Sequence, residues 1–417
     1  MAADGTSKDI LVIGAGIVGT CAALELALRG HRVTLMDRRL PGLETSYGNA
    51  GVIQREAVEP YAMPRSLRFL LAAALGRTPD VHYHVAGLLA AWPQLWQYWR
   101  ASAPHRHRQA SGDYAALIAH ATSEHQRMLD LAGANALVQR QGLRLVYRSA
   151  GLLDEALKDA ARIEREYGIA FRAMDGAQLQ AAEPGFRIPL AGAVHWLDSW
   201  SVSDPSLVVE RYARLFTALG GRFVLGNAGS LRQAGAGWQA DTVEGRVEAS
   251  QAVVALGPWA GPFTRRLGYR LPLFVKRGYH RHYVNGATVA VPTLDAERGY
   301  VMSAQKKGLR ITTGAEIADI DATPTPRQLA LAEAAAAGLL ALGEPVESTP
   351  WLGSRPCVAD MKPIIGKAGR HDGLWFNFGH GHQGFTLGPA SARLLADLID
   401  GGTPYTDAAG YAPGRFG

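Results

Sequence analysis

With 417 residues, 47% hydrophobic and 19% charged, the chain is too long for one simple layer and too apolar for disorder, so two domains around separate cores are expected. The net charge of +6 comes from arginines spread along the whole length, with no basic run and no aromatic-basic repeat, which argues against a nucleic-acid platform. Cys21 and Cys357 are too few for a disulfide framework or a zinc site, the start MAADGTSKD lacks the pattern of a secretory leader, and the apolar run Phe69 to Leu75 falls short of a membrane span; a reducing, cytoplasmic setting is expected.

The opening DILVIGAGIVGTCAALELALRGHRVTLMD predicts a strand from Asp9 to Ile13, a glycine turn, a helix to Leu28 stopped at Gly30, and a second strand from Arg32 to Asp37. The first strand is continuously apolar, as a parallel strand covered on both faces must be. From Tyr61 to Arg100 the pattern is irregular, with apolar clusters broken by Pro64 and Pro93 and carrying Trp92, Trp96, Tyr98 and Trp99. This stretch reads as packing between domains or as an apolar surface facing a partner or a membrane. Helical periodicity covers 113–133 and 152–167, and a helix is expected over Pro205 to Leu219 between the strand-like runs AGAVHW and GRFVLG. QAVVALGPWAG repeats the motif of an apolar strand running into a glycine, here Gly257. GYHRHYV, GYVMSA and LRITTGAE alternate like an antiparallel sheet, an alanine-rich helix follows over 328–342, and GLWFNFGHGHQGFTLGPASARLLADLID closes the chain as strand, glycine turn and helix.

Gly14, Gly16 and Gly19 lie between an apolar strand and a helix, the setting in which this spacing signals a dinucleotide. Gly14 suits the tight turn, Gly16 the approach of backbone to pyrophosphate and Gly19 close packing of helix on strand; Ile17 and Val18 open the helix, whose N-terminus favours phosphate charge. Asp37, followed by Arg38, ends the second strand eighteen residues after Gly19, where a carboxylate can accept hydrogen bonds from ribose hydroxyls. The fingerprint by itself does not separate NAD from FAD.

Three further blocks, ETSYGNAGVI at 44–53, QAVVALGPWAG at 251–261 and GSRPCVADMKPIIG at 353–366 running on to FGHGHQGFTLGP, resemble the D-amino-acid oxidase-like (DAO) superfamily of FAD-dependent oxidoreductases. Within it the chain is most similar to the small-subunit type of bacterial D-amino-acid dehydrogenase and more loosely to glycine oxidase, over essentially its whole length, with 61–190 matched only loosely. The resemblance implies non-covalent FAD. It implies an α/β fold: a glutathione-reductase-type, Rossmann-like FAD domain from 1–60, 190–262 and 348–417, with an inserted α+β substrate domain on an antiparallel sheet from 61–189 and 263–347.

Carried over by position, the resemblance places Ser46, Asn49, Ala50 and Gly51 beside the flavin ring, with Gly257 in the second glycine turn. It places Gly381, Gln383, Gly384, Phe385 and Thr386 at the strand-to-helix turn, where backbone donors would meet charge developing on the flavin. Arg355 would grip the substrate carboxylate through its planar fork, with Tyr300 and Tyr279 as candidate hydroxyl donors. His382 is a candidate for substrate shaping or a direct role. Two departures, Arg277 within Lys276–Tyr279 and the His382–Gln383 pair, are expected near the substrate. No metal-ligand pattern is apparent.

The implied reaction is oxidation of a D-amino or imino acid to its imine by hydride transfer from Cα to flavin N5. The electrons would pass to a quinone or another acceptor, with possible peripheral contact at the inner face of the plasma membrane. The alternatives are a D-hydroxyproline or other imino-acid dehydrogenase, an oxygen-using glycine- or sarcosine-type oxidase, a flavin subunit working only inside a larger complex and, least favoured, a flavin module for nucleic-acid modification.

Overall fold

A computed structural model describes residues 7–67, 70–71 and 81–416. The first six residues, and all of the run Phe69 to Leu75 except Leu70 and Leu71, lie outside the described residues. The dinucleotide unit is a six-stranded sheet containing Asp9–Ile13, Arg32–Asp37, Arg222–Leu225, Gln251–Val254, Leu374–Phe378 and Ile364–Lys367. Asp9–Ile13 pairs in parallel with Arg32–Asp37 on one side and Gln251–Val254 on the other, so the two glycine turns leave the same end of the sheet side by side. The last helix, Gly384–Asp400, and the first, Ile17–Leu28, share one apolar core.

The second unit is an eleven-stranded sheet built around the long strand Leu273–Val284. Two strands that the expected boundaries give to the dinucleotide unit pair there instead: Trp351–Val358 runs antiparallel to Leu273–Val284, and Gly192–Trp196 pairs with Leu143–Tyr147. Conversely, Tyr114, Leu117, Met128 and Leu129, from a stretch expected in the substrate unit, join the core of the first and last helices. Burial of apolar faces, not chain order, decides which core a segment joins.

Most expected elements appear within a few residues: helices at Ala150–Tyr167, Pro205–Ala218 and Arg327–Leu339. The region read as 113–133 is two helices, Pro104–Ile118 and Ala121–Leu131, the first opened by Pro104. The irregular stretch contains a helix, Val85–Ala101, with Pro93 inside it. Its amphipathic signal is hidden because large apolar side chains occupy both faces: Leu95 and Tyr98 are buried, while Val85, Leu89, Trp92 and Trp96 are exposed. Among the described residues no helix is long and apolar enough to cross a membrane.

Candidate active site

A cavity of about 520 Å³ is lined by Gly14, Gly16, Ile17, Val18, Asp37 and Arg38 from the first glycine turn and second strand, and by Gly257 from the second turn. Its walls also include Ser46 and Asn49, the rung Gly278–Gly353 with Tyr279 and Arg355, and the turn containing Asn377, His380, Gly381, His382, Gly384 and Phe385. The sheets thus bring the dinucleotide fingerprint, the second glycine turn and the arginine strand into one enclosure.

At the fingerprint end, Gly14 has φ +105°, and a Cβ there would run into the Ala255 carbonyl oxygen. Gly19 does not line the cavity; a side chain there would strike the Gly14 carbonyl, so it serves the packing of helix on turn. Asp37 accepts the Ala15 N–H at 2.6 Å, and burial pushes its carboxyl above the usual carboxylate range. Arg38 pairs with Glu44 at 2.8 Å and stands 4.3 Å over the Trp259 ring, a flat, cationic corner. Ser46 Oγ accepts the Ile17 N–H at 2.9 Å and fastens the following loop to the helix N-terminus.

That loop turns on Asn49, whose Oδ1 accepts the Gly51 N–H at 2.8 Å, a local turn that leaves the backbone compact. Ala50 and Gly51 face the large sheet rather than the cavity: the Ala50 carbonyl accepts from Gln305 Nε2 at 3.3 Å, and a Cβ on Gly51 would collide with that amide.

The closing turn differs in detail from the expected row of donors. The Gly381 N–H is used on the Pro356 carbonyl at 2.8 Å, and that of Gln383 on the His380 carbonyl at 3.0 Å. The open donors are those of the first helical turn, from Gly384 onward, because Gln383 supplies no side-chain cap. Gln383 is buried and donates to Gln54 Oε1 at 2.8 Å, and the Thr386 hydroxyl accepts the Gln54 N–H at 3.1 Å. Phe385 lies against the His125 ring, with centroids 5.8 Å apart.

Three buried side chains here retain polar atoms without a partner among the described residues: both amide atoms of Asn377, Nε2 of His380 and Oε1 of Gln383. Asn377 and His380 line the cavity. Such atoms are costly unless a bound molecule satisfies them, so the residues fit a polar, ring-bearing cofactor. Asn377 was not foreseen, although it is the one polar residue in the apolar strand Leu374–Phe378.

Arg355 donates to the Thr313 and Gly314 carbonyls at 2.9 and 2.6 Å and has no carboxylate partner among the described residues. Burial lowers its pKa. Gly278, directly beside it, leaves room for the fork; a Cβ there would approach the guanidinium nitrogen to 2.6 Å. Tyr279 lines the cavity, but its hydroxyl donates to Glu316 at 2.8 Å and accepts the Thr325 N–H at 2.7 Å, and burial and Glu316 push its pKa up to about 12. Its hydrogen-bonding capacity is therefore engaged within the protein. Tyr300 is buried with Met302 and Ile311 in the core of the large sheet and does not line the cavity.

His382 projects into the cavity, where it is exposed to the space within, although protein surrounds it. That desolvation, followed by the charges of Arg355 and Lys276, lowers its pKa to about 4, so the ring is neutral at ordinary pH. Arg277, expected near the substrate, is fully buried and pairs with Glu316 at 2.6 Å, because its neighbours Lys276 and Gly278 take the other face of the strand. His82, His84 and Glu316 also come within metal-ligand reach of one another, a grouping not apparent in the sequence. The Glu316 carboxylate is already engaged by Arg277, Tyr279 and Thr325.

A family model described as DAO, FAD dependent oxidoreductase, matches residues 9–398. The chain is 32% identical over 436 residues to a D-amino acid dehydrogenase of Cereibacter sphaeroides, covering 98% of this chain and 95% of that one. It is 29% identical over 423 residues to a D-amino-acid oxidase of Bradyrhizobium diazoefficiens, covering 98% and 99%. The glycine oxidase structure from Geobacillus kaustophilus superposes with a TM-score of 0.71 at 19% identity, covering 97% of this chain and 98% of that one. With the glycine turns, the unsatisfied polar cradle and the arginine rung in one cavity, this chain belongs to the DAO family and is an FAD-dependent oxidoreductase.

Proposed function

We propose that the enzyme oxidises the Cα–N bond of a D-amino acid and passes the electrons to a quinone or another carrier. The observation that carries this reading is Arg355: a guanidinium in the cavity wall, held by two backbone carbonyls and without a counter-ion among the described residues. Its remaining N–H groups suit a substrate carboxylate.

FAD, when bound, supplies the acceptor for the hydrogen and electron pair lost from Cα. The protein's part is placement. Arg355 fixes the carboxylate, Gly278 leaves room for its guanidinium, and the Trp351 ring, packed on Gly353, closes the same wall. The substrate amine loses a proton as its C–N bond becomes C=N, and the positive charges of Arg355 and Lys276 favour the neutral amine that this step requires. His382, held neutral in the cavity, can hydrogen-bond the substrate amine, and the proton leaves to water. Water then cleaves the released imine to a keto acid and ammonia.

The exposed stripe Val85, Leu89, Trp92 and Trp96 supports contact with a membrane surface, where a quinone would be met. The exposed Arg100, Arg106 and Arg108 lie at the C-terminal end of that helix and just beyond it, and no acidic residue occurs between 81 and 112. This pattern suits anionic lipid.

The test is anaerobic bleaching of the flavin by a panel of D- and L-amino acids, hydroxyprolines, glycine and sarcosine, followed by reoxidation with air or a quinone dye. Bleaching by D-enantiomers and reoxidation by the quinone are expected. Bleaching by none of the panel would end this reading.

A further inference from the structure

Lys276 and Arg355 are directly paired across neighbouring antiparallel strands, so their side chains leave the same face of the sheet. Like charges in that position repel, and both groups sit among desolvating neighbours. The buried Arg277 and Arg144 are neutralised by Glu316 and Glu183, and the buried Arg310 is held instead by His282 and the Tyr47 and Asn49 carbonyls. Lys276 has no such partner. Its Nζ lies 4.4 Å from the Tyr98 ring centre and 3.4 Å from the Tyr98 hydroxyl, and no carboxylate of the described residues pairs with Lys276 or Arg355.

One carboxylate on Arg355 leaves the charge of Lys276 unmatched. We propose that Lys276 receives a second anionic group of the substrate, so that the preferred substrate is a dicarboxylic amino acid with one carboxylate on Arg355 and the other on Lys276. This assignment rests on the amino-acid reading of the cavity given above. The aromatic wall formed by Tyr98 and Phe274 holds the ammonium in place without neutralising it. An uncharged side chain in the same position would leave the buried ammonium without an anion, which gives discrimination of the strong kind.

The experiment compares D-glutamate with its neutral near-isostere D-glutamine on the flavin-loaded enzyme, in the wild type and in Lys276→Met. The expected result is a wild-type kcat/KM at least about tenfold higher for D-glutamate, carried by KM, with the ratio falling to about one in the variant. A second readout needs no turnover: titration of the flavin absorbance with glutarate, succinate and butyrate. Dicarboxylates should bind at least about tenfold more tightly than butyrate in the wild type, and that advantage should vanish in Lys276→Met. Lys276→Gln, which keeps the length of the side chain, repeats both measurements should the methionine variant fold poorly.

Equal handling of the acid and the amide by the wild type would overturn the proposal, as would a preference that persists in both variants. If no amino acid bleaches the flavin while dicarboxylates still bind through Lys276, the amino-acid reading fails and the two-cation anion site stands.

Discussion

The Asp37 carboxylate accepts the Ala15 N–H at 2.6 Å, so the end of the second strand holds the first glycine turn in shape while its other oxygen accepts the Arg39 N–H at 3.2 Å. Replacing Asp37 by Ala removes both contacts and a cavity-lining acceptor. We expect FAD affinity to fall by about 10- to 100-fold, roughly 1.4–2.8 kcal/mol, read by flavin fluorescence titration of the apoprotein. Unaltered affinity would show that the carboxylate has no part in holding the cofactor.

Arg355→Ala should raise KM for the amino acid by about 100-fold or more, the loss of a charge-assisted anchor, with the flavin spectrum unchanged. Gly278→Ala offers a gentler test. The added methyl meets the Arg355 guanidinium at 2.6–2.9 Å and must push it aside, so we expect KM to rise by about tenfold with little change in thermal stability. Steady-state kinetics alongside a melting curve separates the two effects.

The buried pair Arg277–Glu316 predicts a stability effect. Glu316→Ala leaves a guanidinium without its counter-ion in a region with no exposure and should cost about 3–5 kcal/mol, measured by urea unfolding. Double replacement of Arg277 and Glu316 by apolar residues should recover part of that loss, whereas equal damage in the single and double variants would mean that the pair is not the cause.

The buried imidazoles set the acid limb of stability. Burial holds His125 down to about 4, His380 to about 3 and His280 to about 2. The unfolded chain takes up these protons near pH 6.5 while the folded protein does not, so stability rises with pH across the window from about 4 to 6.5. Each ring contributes up to about 1.4 kcal/mol per pH unit there. Melting temperatures should therefore fall steeply below pH 6; His125→Gln should flatten that slope, with little effect above pH 7.5.

For the exposed helix face, the double change Trp92→Ser and Trp96→Ser should reduce sedimentation with anionic phospholipid vesicles by about tenfold while altering stability by less than about 0.5 kcal/mol. Equal sedimentation of both forms would remove the membrane contact.

Much of the architecture was legible because it depends on short-range signals. The strand Asp9–Ile13, the turn at Gly14 and Gly16 and the helix Ile17–Leu28 are written in consecutive residues whose spacing fixes their geometry. What escaped depends on contacts remote in sequence. Asn377 gains meaning only where the strand Leu374–Phe378 opens on the cavity. Arg277, beside Lys276, is expected near the substrate, but alternation along the strand sends Arg277 to Glu316 and Lys276 towards Arg355. Tyr300 carries a suitable hydroxyl on a strand facing the core of the large sheet, and Val85–Ala101 hides its helical period behind a face that the other described residues leave exposed.

The strand Trp351–Val358 belongs to the large sheet, and barely six residues later the chain enters the dinucleotide sheet as Ile364–Lys367 and Leu374–Phe378. The arginine anchor and the polar cradle are thus carried on one short, taut ribbon stitched into both layers. Any hinge motion between the layers must pass through that six-residue seam, so Arg355 and Asn377 move together if they move at all.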